Sequence, residues 1–178
     1  NAKIIIISHI GRPKGKIIQN LTLKPIAEKV SKLINKNVFF LNESIGLTTI
    51  EKSKKISNGE VLMLENLRFD KKEELNENSF AKELAKLGDV YVNEAFSCSH
   101  RAHASVSAIT KYIKSFAGIE LIKEINSINM ITSQAKKPTA CIIGGSKIST
   151  KIGILNNLIK KMENIVIVGA MANNFIKN

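Results

Sequence analysis

A short apolar run, a turn and a stretch of helical period recur along this chain, and that repetition leaves few architectures open. The apolar runs are KIIIIS (3–8), NVFFL (37–41), VLMLEN (61–66), DVYVNEA (89–95), TACIIG (139–144) and NIVIVG (164–169). They are continuous rather than alternating, the pattern of parallel strands covered on both faces. Helical periodicity falls between them at 24–33, 79–87, 120–132 and 149–162. Strand and helix in alternation predict right-handed βαβ units and an α/β fold on an open parallel sheet.

One stretch breaks the rhythm. Residues 117–134 carry a long helical pattern with Glu120, Lys123 and Glu124, closed by SQAKKP, where Pro138 ends the helix and leads into the next strand. It reads as a connector between two α/β bodies, so the expected organisation is 1–116, a linking helix at 117–136, and a second body at 137–178. The chain opens on Asn1, not methionine, and almost at once enters a strand-like run. It is expected to begin part-way through a fold.

Composition narrows the function classes. Of 178 residues, 44% are hydrophobic and 24% charged, as in a soluble globular protein large enough to need no disulfide framework. Two cysteines, Cys98 and Cys141, suit a reducing, cytoplasmic setting, and no apolar run is long enough to cross a bilayer. The net charge of +12 admits nucleic-acid binding, small-anion binding or a bias toward lysine. Many lysines (29, 32 and 36; 52, 54 and 55) fall on polar helix faces, as on any solvated surface. Aromatic residues are 5% and do not track the arginines, which argues against a nucleic-acid reader.

In open α/β sheets ligands bind beyond the carboxyl ends of the strands. The chain has three arginines, Arg12, Arg68 and Arg101, and each lies at or just past such an end. Arginine's planar fork holds a phosphate or carboxylate at two points, which lysine cannot do. The shared placement favours a convergent anion site over three unrelated surface arginines. His9 and Gly11 precede Arg12, and His100 and His103 flank Arg101. A second candidate is the turn GGSKISTK, with Gly144, Gly145, Lys147 and Lys151, where backbone N–H groups and a helix start favour a phosphate oxygen. The Gly-x4-Gly-Lys spacing of a P-loop is absent, and a plain tight turn fits the pattern about as well.

The stretch NEAFSCSHRAHAS (93–105) first suggests a metal or a catalytic cysteine. Cys98, His100 and His103 fall short of a four-ligand set, and Arg101 would stand beside the cation. No oxyanion-hole pattern accompanies the cysteine. No protein-bound metal is expected, and neutral, hydrogen-bonded histidines serving as scaffold remain an alternative.

Taken together, SHIGRPKG, LENLRF, GDVYVNEAFSCSHRAHAS, IIGGSKISTKIGILNNL and VGAMANNF resemble, in order, the motifs of phosphoglycerate kinase. The resemblance covers essentially the whole chain. It implies a monomeric, cytoplasmic glycolytic kinase with two Rossmann-like domains that close like a hinge. That enzyme moves a phosphoryl group between 1,3-bisphosphoglycerate and ADP, giving 3-phosphoglycerate and ATP, with Mg²⁺ carried by the nucleotide. By matching motifs, His9, Ile10, Gly11, Arg12, Arg68 and Arg101 would bind phosphoglycerate, with His103 in the same basic turn. Gly144, Gly145, Lys147 and Lys151 would meet the nucleotide, and Arg12 and Lys151 would act on the transferring group.

The sequence also departs from the family pattern. Val168-Gly169-Ala170 stands where the family has three glycines, Glu94 replaces an aspartate, and Ser97-Cys98-Ser99 replaces smaller residues. Nothing matches the family's opening strand or most of its nucleotide domain. The chain is therefore expected to be part of a longer product or a truncated gene, with the first domain lacking its first strand and only the start of the second present. The 178 residues alone are expected to be inactive; the alternative reading is a fragment that keeps only an anion-binding surface.

Overall fold

The structure, a computed structural model, describes residues 2–133, 136–145, 149 and 151–176. It is an α/β protein in which every strand pairing is parallel. The chain divides into two compact units, Asn1–Leu121 and Ile122–Asn178.

The first unit is built on β3 (Val61–Leu64), which lies between β1 (Ile4–Ile6) and β2 (Val38–Leu41). Every residue of β3 is buried. The pleat sends alternate side chains to opposite faces, and each face meets its own core. Leu62 and Leu64 join Leu41, Phe80, Leu84, Ala104 and Ile109, whereas Val61 and Met63 join Leu23, Ala27 and Val38. A run that is apolar at every position is therefore the correct sequence for this strand. Burying each such side chain contributes about 1.5–3 kcal/mol. Around the sheet run α1 (Lys24–Ile34), with Pro25 in its first turn, α2 (Leu47–Lys55), the single turn α3 (Lys71–Glu74) and α4 (Asn78–Ala85).

A second ladder in this unit pairs β4 (Val90–Asn93) with β5 (Lys114–Ala117). Among the described residues it forms a sheet of its own and does not extend the three-stranded one. Between its strands lie two 3₁₀ turns, Phe96–Cys98 and Ala108–Lys111, which bracket the histidine-arginine loop. β5 and α2 are not foreshadowed by apolar periodicity.

Helix α5 (Ile119–Ser133) starts in the first unit and continues in the second. The second unit also holds β6 (Ala140–Gly144) paired with β7 (Asn164–Val168), α6 (Ile152–Ile159) and α7 (Ala170–Ile176). Leu155 and Met171 are its buried apolar anchors. The helix expected over 149–162 is shorter at both ends. Lys151 stands just ahead of it with φ −114° and ψ −12°, and its carbonyl accepts the Leu155 N–H at 2.9 Å.

Candidate functional site

The first candidate site is assembled beyond the carboxyl ends of β1, β3 and β4. After β3 comes a buried polar pair, Glu65 and Asn66, that fixes the loop following β1. Glu65 accepts the Thr22 hydroxyl at 2.6 Å and the backbone N–H groups of Leu23 at 2.8 Å and Asn66 at 2.7 Å. Asn66 Nδ2 then donates to the carbonyls of Ile10 and Leu21, both at 2.9 Å, while its Oδ1 accepts the Arg68 N–H at 3.1 Å. That last bond caps the 3₁₀ turn Leu67–Phe69, which carries Arg68.

Arg68 is 5% exposed. Its Nη1 donates to the Gly11 carbonyl at 2.8 Å, and its own carbonyl accepts the Gly15 N–H at 3.1 Å. The glycine-rich loop is thus tied to Arg68 at two points. Gly11 has φ +68°, the left-handed region that favours glycine, and a Cβ there would stand 2.8 Å from the end of the Leu21 side chain. The Arg68 Nε is buried without a hydrogen bond and faces the Glu74 carboxylate at 3.6 Å.

Around this arginine the loops bring in His9, Arg101 and His103. Burial, then the charges of Arg68, His103 and Arg101, hold the His9 imidazole below its ordinary value, and Glu74 opposes them. His103 is lowered by burial and Arg68 first, with Arg101 and His100 acting the same way and Glu74 again in opposition. The 3.9 Å approach of His103 Nδ1 to Glu73 is accordingly not an ion pair, because the neutral imidazole is the favoured form. Cys98 Sγ lies 3.7 Å from His9 Nε2, and the Arg101 N–H is bonded to the Cys98 carbonyl at 2.9 Å. Burial first, then Glu73 and Cys98, push the Tyr91 phenol up to about 12.

The loop is held from beneath by Glu73. Its backbone carbonyl accepts the Ala104 N–H at 2.9 Å, and its carboxylate accepts the Ser105 N–H at 2.9 Å and the Ser105 hydroxyl. Burial raises the Glu73 carboxyl above the usual carboxylate range, while both Ser105 bonds pull it back.

Of the residues expected at this site, His9, Gly11, Arg68, Arg101 and His103 are brought together. Ile10 contributes its backbone carbonyl to Asn66 while the residue itself is 38% exposed. Arg12 is exposed on the same loop, and no hydrogen bond or ion pair among the described residues draws its guanidinium to the others. Glu65, Asn66, Glu73 and Glu74 escape a search for ligand-binding side chains because they act on backbone and on Arg68. The motif LENLRF did contain the signal, a Glu-Asn pair directly at a strand end.

In the second unit Gly144 ends β6 and Gly145 follows it. A Cβ on Gly144 would approach Val168 Cγ2 to 2.9 Å, so the two strand ends meet at a position suited to glycine. Gly145 has φ +154°, and a Cβ there would lie 3.4 Å from Lys151 Cε, which places the lysine stem over this glycine. Lys147 and its neighbours Ser146 and Ile148 lie outside the described residues. Among the described residues no group of three or more His, Cys, Asp and Glu side chains is arranged to hold a metal ion, and no helix is long and apolar enough to cross a membrane.

The family model described as phosphoglycerate kinase matches residues 1–178. This chain belongs to the phosphoglycerate kinase family. It is 47% identical to the phosphoglycerate kinase of Bartonella bacilliformis over 175 residues, covering 98% of this chain and 44% of that protein. Against that of the Wolbachia of Brugia malayi the identity is 50%, over 98% of this chain and 44% of the relative. The solved phosphoglycerate kinase of Coxiella burnetii superimposes with a TM-score of 0.81 at 36% identity, covering 98% of this chain and 43% of that one. That of Pyrococcus horikoshii gives 0.88 at 26% identity, covering 99% and 45%. The chain therefore spans less than half the length of these relatives.

Proposed function

We propose that this chain is part of a kinase that moves a phosphoryl group between 1,3-bisphosphoglycerate and ADP, giving 3-phosphoglycerate and ATP, in the cytoplasm. The first unit takes the phosphoglycerate, and the second contributes the opening turn of the nucleotide site. The observation that carries this reading is the buried Arg68, fixed to the Gly11 carbonyl and surrounded by His9, Arg101 and His103. Phosphoryl transfer asks mainly for positioning and for neutralisation of charge on the phosphate oxygens. A cluster of cationic and N–H-bearing groups on tightly tied loops supplies both.

In this reading His9, Gly11, Arg12, Arg68 and Arg101 hold the phosphoglycerate, with Ile10 contributing through the backbone of the same loop. Arg12, exposed and uncommitted, is the group able to swing toward the transferring phosphate. Gly144, Gly145, Lys147 and Lys151 meet the nucleotide. The placement of the Lys151 stem over Gly145 supports this, since a phosphate resting on the bare glycine would have the ammonium close by. Nucleotide binding brings Mg²⁺ as a companion of the phosphates.

The test is Arg68→Ala in a complete chain of the family carrying these residues. Losing a charge-assisted hydrogen-bonding fork costs about 1.5–3 kcal/mol, so affinity for 3-phosphoglycerate should fall roughly ten- to hundredfold. Turnover in a coupled assay should fall with it. Thermal denaturation of the variant separates this from loss of the Gly11 contact. Near-normal turnover would exclude the assignment.

A further inference from the structure

We propose that Glu74 is an affinity-determining residue of the anion site: its carboxylate occupies the Nε edge of Arg68 and must be displaced by the incoming anion. The inference rests on the reading of Arg68 as an anion ligand.

The argument begins with how the Arg68 fork is used. Nη1 is committed to the Gly11 carbonyl at 2.8 Å. A side-on, two-point grip on a phosphate uses Nε together with the other terminal nitrogen. Yet Nε is buried and makes no hydrogen bond. The group facing it is the Glu74 carboxylate at 3.6 Å, beyond hydrogen-bond distance but close enough for an ion pair. A buried cationic N–H without an acceptor is costly, and a phosphate oxygen would satisfy it.

The neighbouring glutamates divide their roles. Glu73 is 1% exposed and fixed by Ser105 and Ala104. The Glu74 side chain is a third exposed, at 33%, and no donor among the described residues hydrogen-bonds its carboxylate. It is free to move where Glu73 is not. Its charge also reaches the whole patch, since it opposes the lowering of both His9 and His103. An arriving anion therefore meets one negative charge placed among the cations, at the edge it needs.

The experiment compares this chain with Glu74→Gln, Glu74→Ala and Glu74→Asp, using 3-phosphoglycerate and inorganic phosphate as probes. Removing one unit charge at this range should tighten binding of both probes about three- to tenfold in the Gln and Ala variants. Asp should remain near the parent. Unchanged or weaker binding by the Gln variant would overturn the inference, because Glu74 would then be a support that orients Arg68. In parallel, histidine titrations followed by NMR without any anion should show His9 and His103 moving further down in the Gln variant. Unmoved titrations would equally refute the placement of the charge. If the parent chain binds neither probe while the titrations move, the anion reading of Arg68 fails and the position of Glu74 stands.

Discussion

Arg68 and the imidazoles beside it create a conflict of charge that sets how this site responds to pH. Both His9 and His103 have folded values below the ordinary 6.5, from burial and from the arginines. A base whose folded value is depressed is most compatible with the fold when neutral. Stability from these groups is therefore fully present above about 6.5, the value in the unfolded chain, and is lost as pH falls toward the folded values. Glu73 acts in the opposite sense. Its raised value makes the neutral acid the favoured folded form, so its contribution is present below about 4.5 and declines as pH rises through the folded value. The expected outcome is a fall in unfolding free energy of the chain from pH 7.5 to pH 5.5, measured in urea. His103→Gln should flatten that fall; an unchanged slope would mean the imidazole is not held neutral. At this scale much of the site was legible. The three arginines and their flanking glycine and histidines stood out against a lysine-rich background. Glu73 and Glu74 did not, because a glutamate beside two lysines on a short polar turn looks like solvated surface. Only the fold reveals that one of them is buried against Ser105.

The elements join through backbone bonds that no hydrophobic pattern announces. Glu94, directly after β4, accepts the N–H groups of Ile119 at 2.9 Å, Glu120 at 3.0 Å and Leu121 at 3.2 Å. These are the orphan donors at the start of α5, which a carboxylate satisfies while also complementing the helix dipole. A Cβ on Gly118 would overlap this carboxylate, so the glycine gives it access. The same strand end is tied into the arginine loop, with Asn93 Oδ1 accepting the Ala95 N–H at 2.8 Å and Ser99 Oγ donating to the Ala95 carbonyl at 3.0 Å. Glu94→Ala should therefore destabilise the chain by about 1 kcal/mol, within the range of lost helix caps, and Glu94→Gln should recover part of it. Thermal denaturation decides; an Ala variant as stable as the parent would rule out the cap. The replacement of the family's aspartate by Glu94 is thus compatible with this capping geometry. Legibility at this scale followed the apolar pattern of the sequence. β3 could be read because both its faces are covered. α2 could not, because the residues it buries are Thr49 and Ser53, with Leu47 exposed. β5 could not either, since the stretch KSFA holds no alternation, and its register is set by pairing with β4.

Over the whole molecule the apolar runs differ in coverage, and within the first unit β4 is exposed at alternate positions, with Val90 at 56% and Val92 at 50%. In the same unit, Val61, Leu62, Met63 and Leu64 of β3 are 0–3% exposed. In the second unit, β6 and β7 are equally apolar in sequence but are exposed at alternate positions, with Ile142 at 73% and Val166 at 47%. Ile152, Leu155, Ile159, Ile165, Ile167 and Phe175 line an apolar groove of about 310 Å³ in this unit. Continuous apolar runs led to the expectation of strands covered on both faces, and that holds for β3 but not for β4, β6 and β7 among the described residues. The fold class was readable because strand type and order depend on local pattern; coverage was not, because it depends on what else packs there. A two-stranded ladder with one open face has few tertiary contacts opposing local opening. In hydrogen exchange of this chain, the amides of β3 should be protected close to the global unfolding limit. Those of β6 and β7 should exchange through separate, lower-energy openings, at least tenfold faster, a difference of about 1.4 kcal/mol. Adding the remainder of a complete family member should slow them, if that material covers the open faces. Equal protection of β3, β6 and β7 in the chain alone would show instead that the ladder and its two helices already form a stable body.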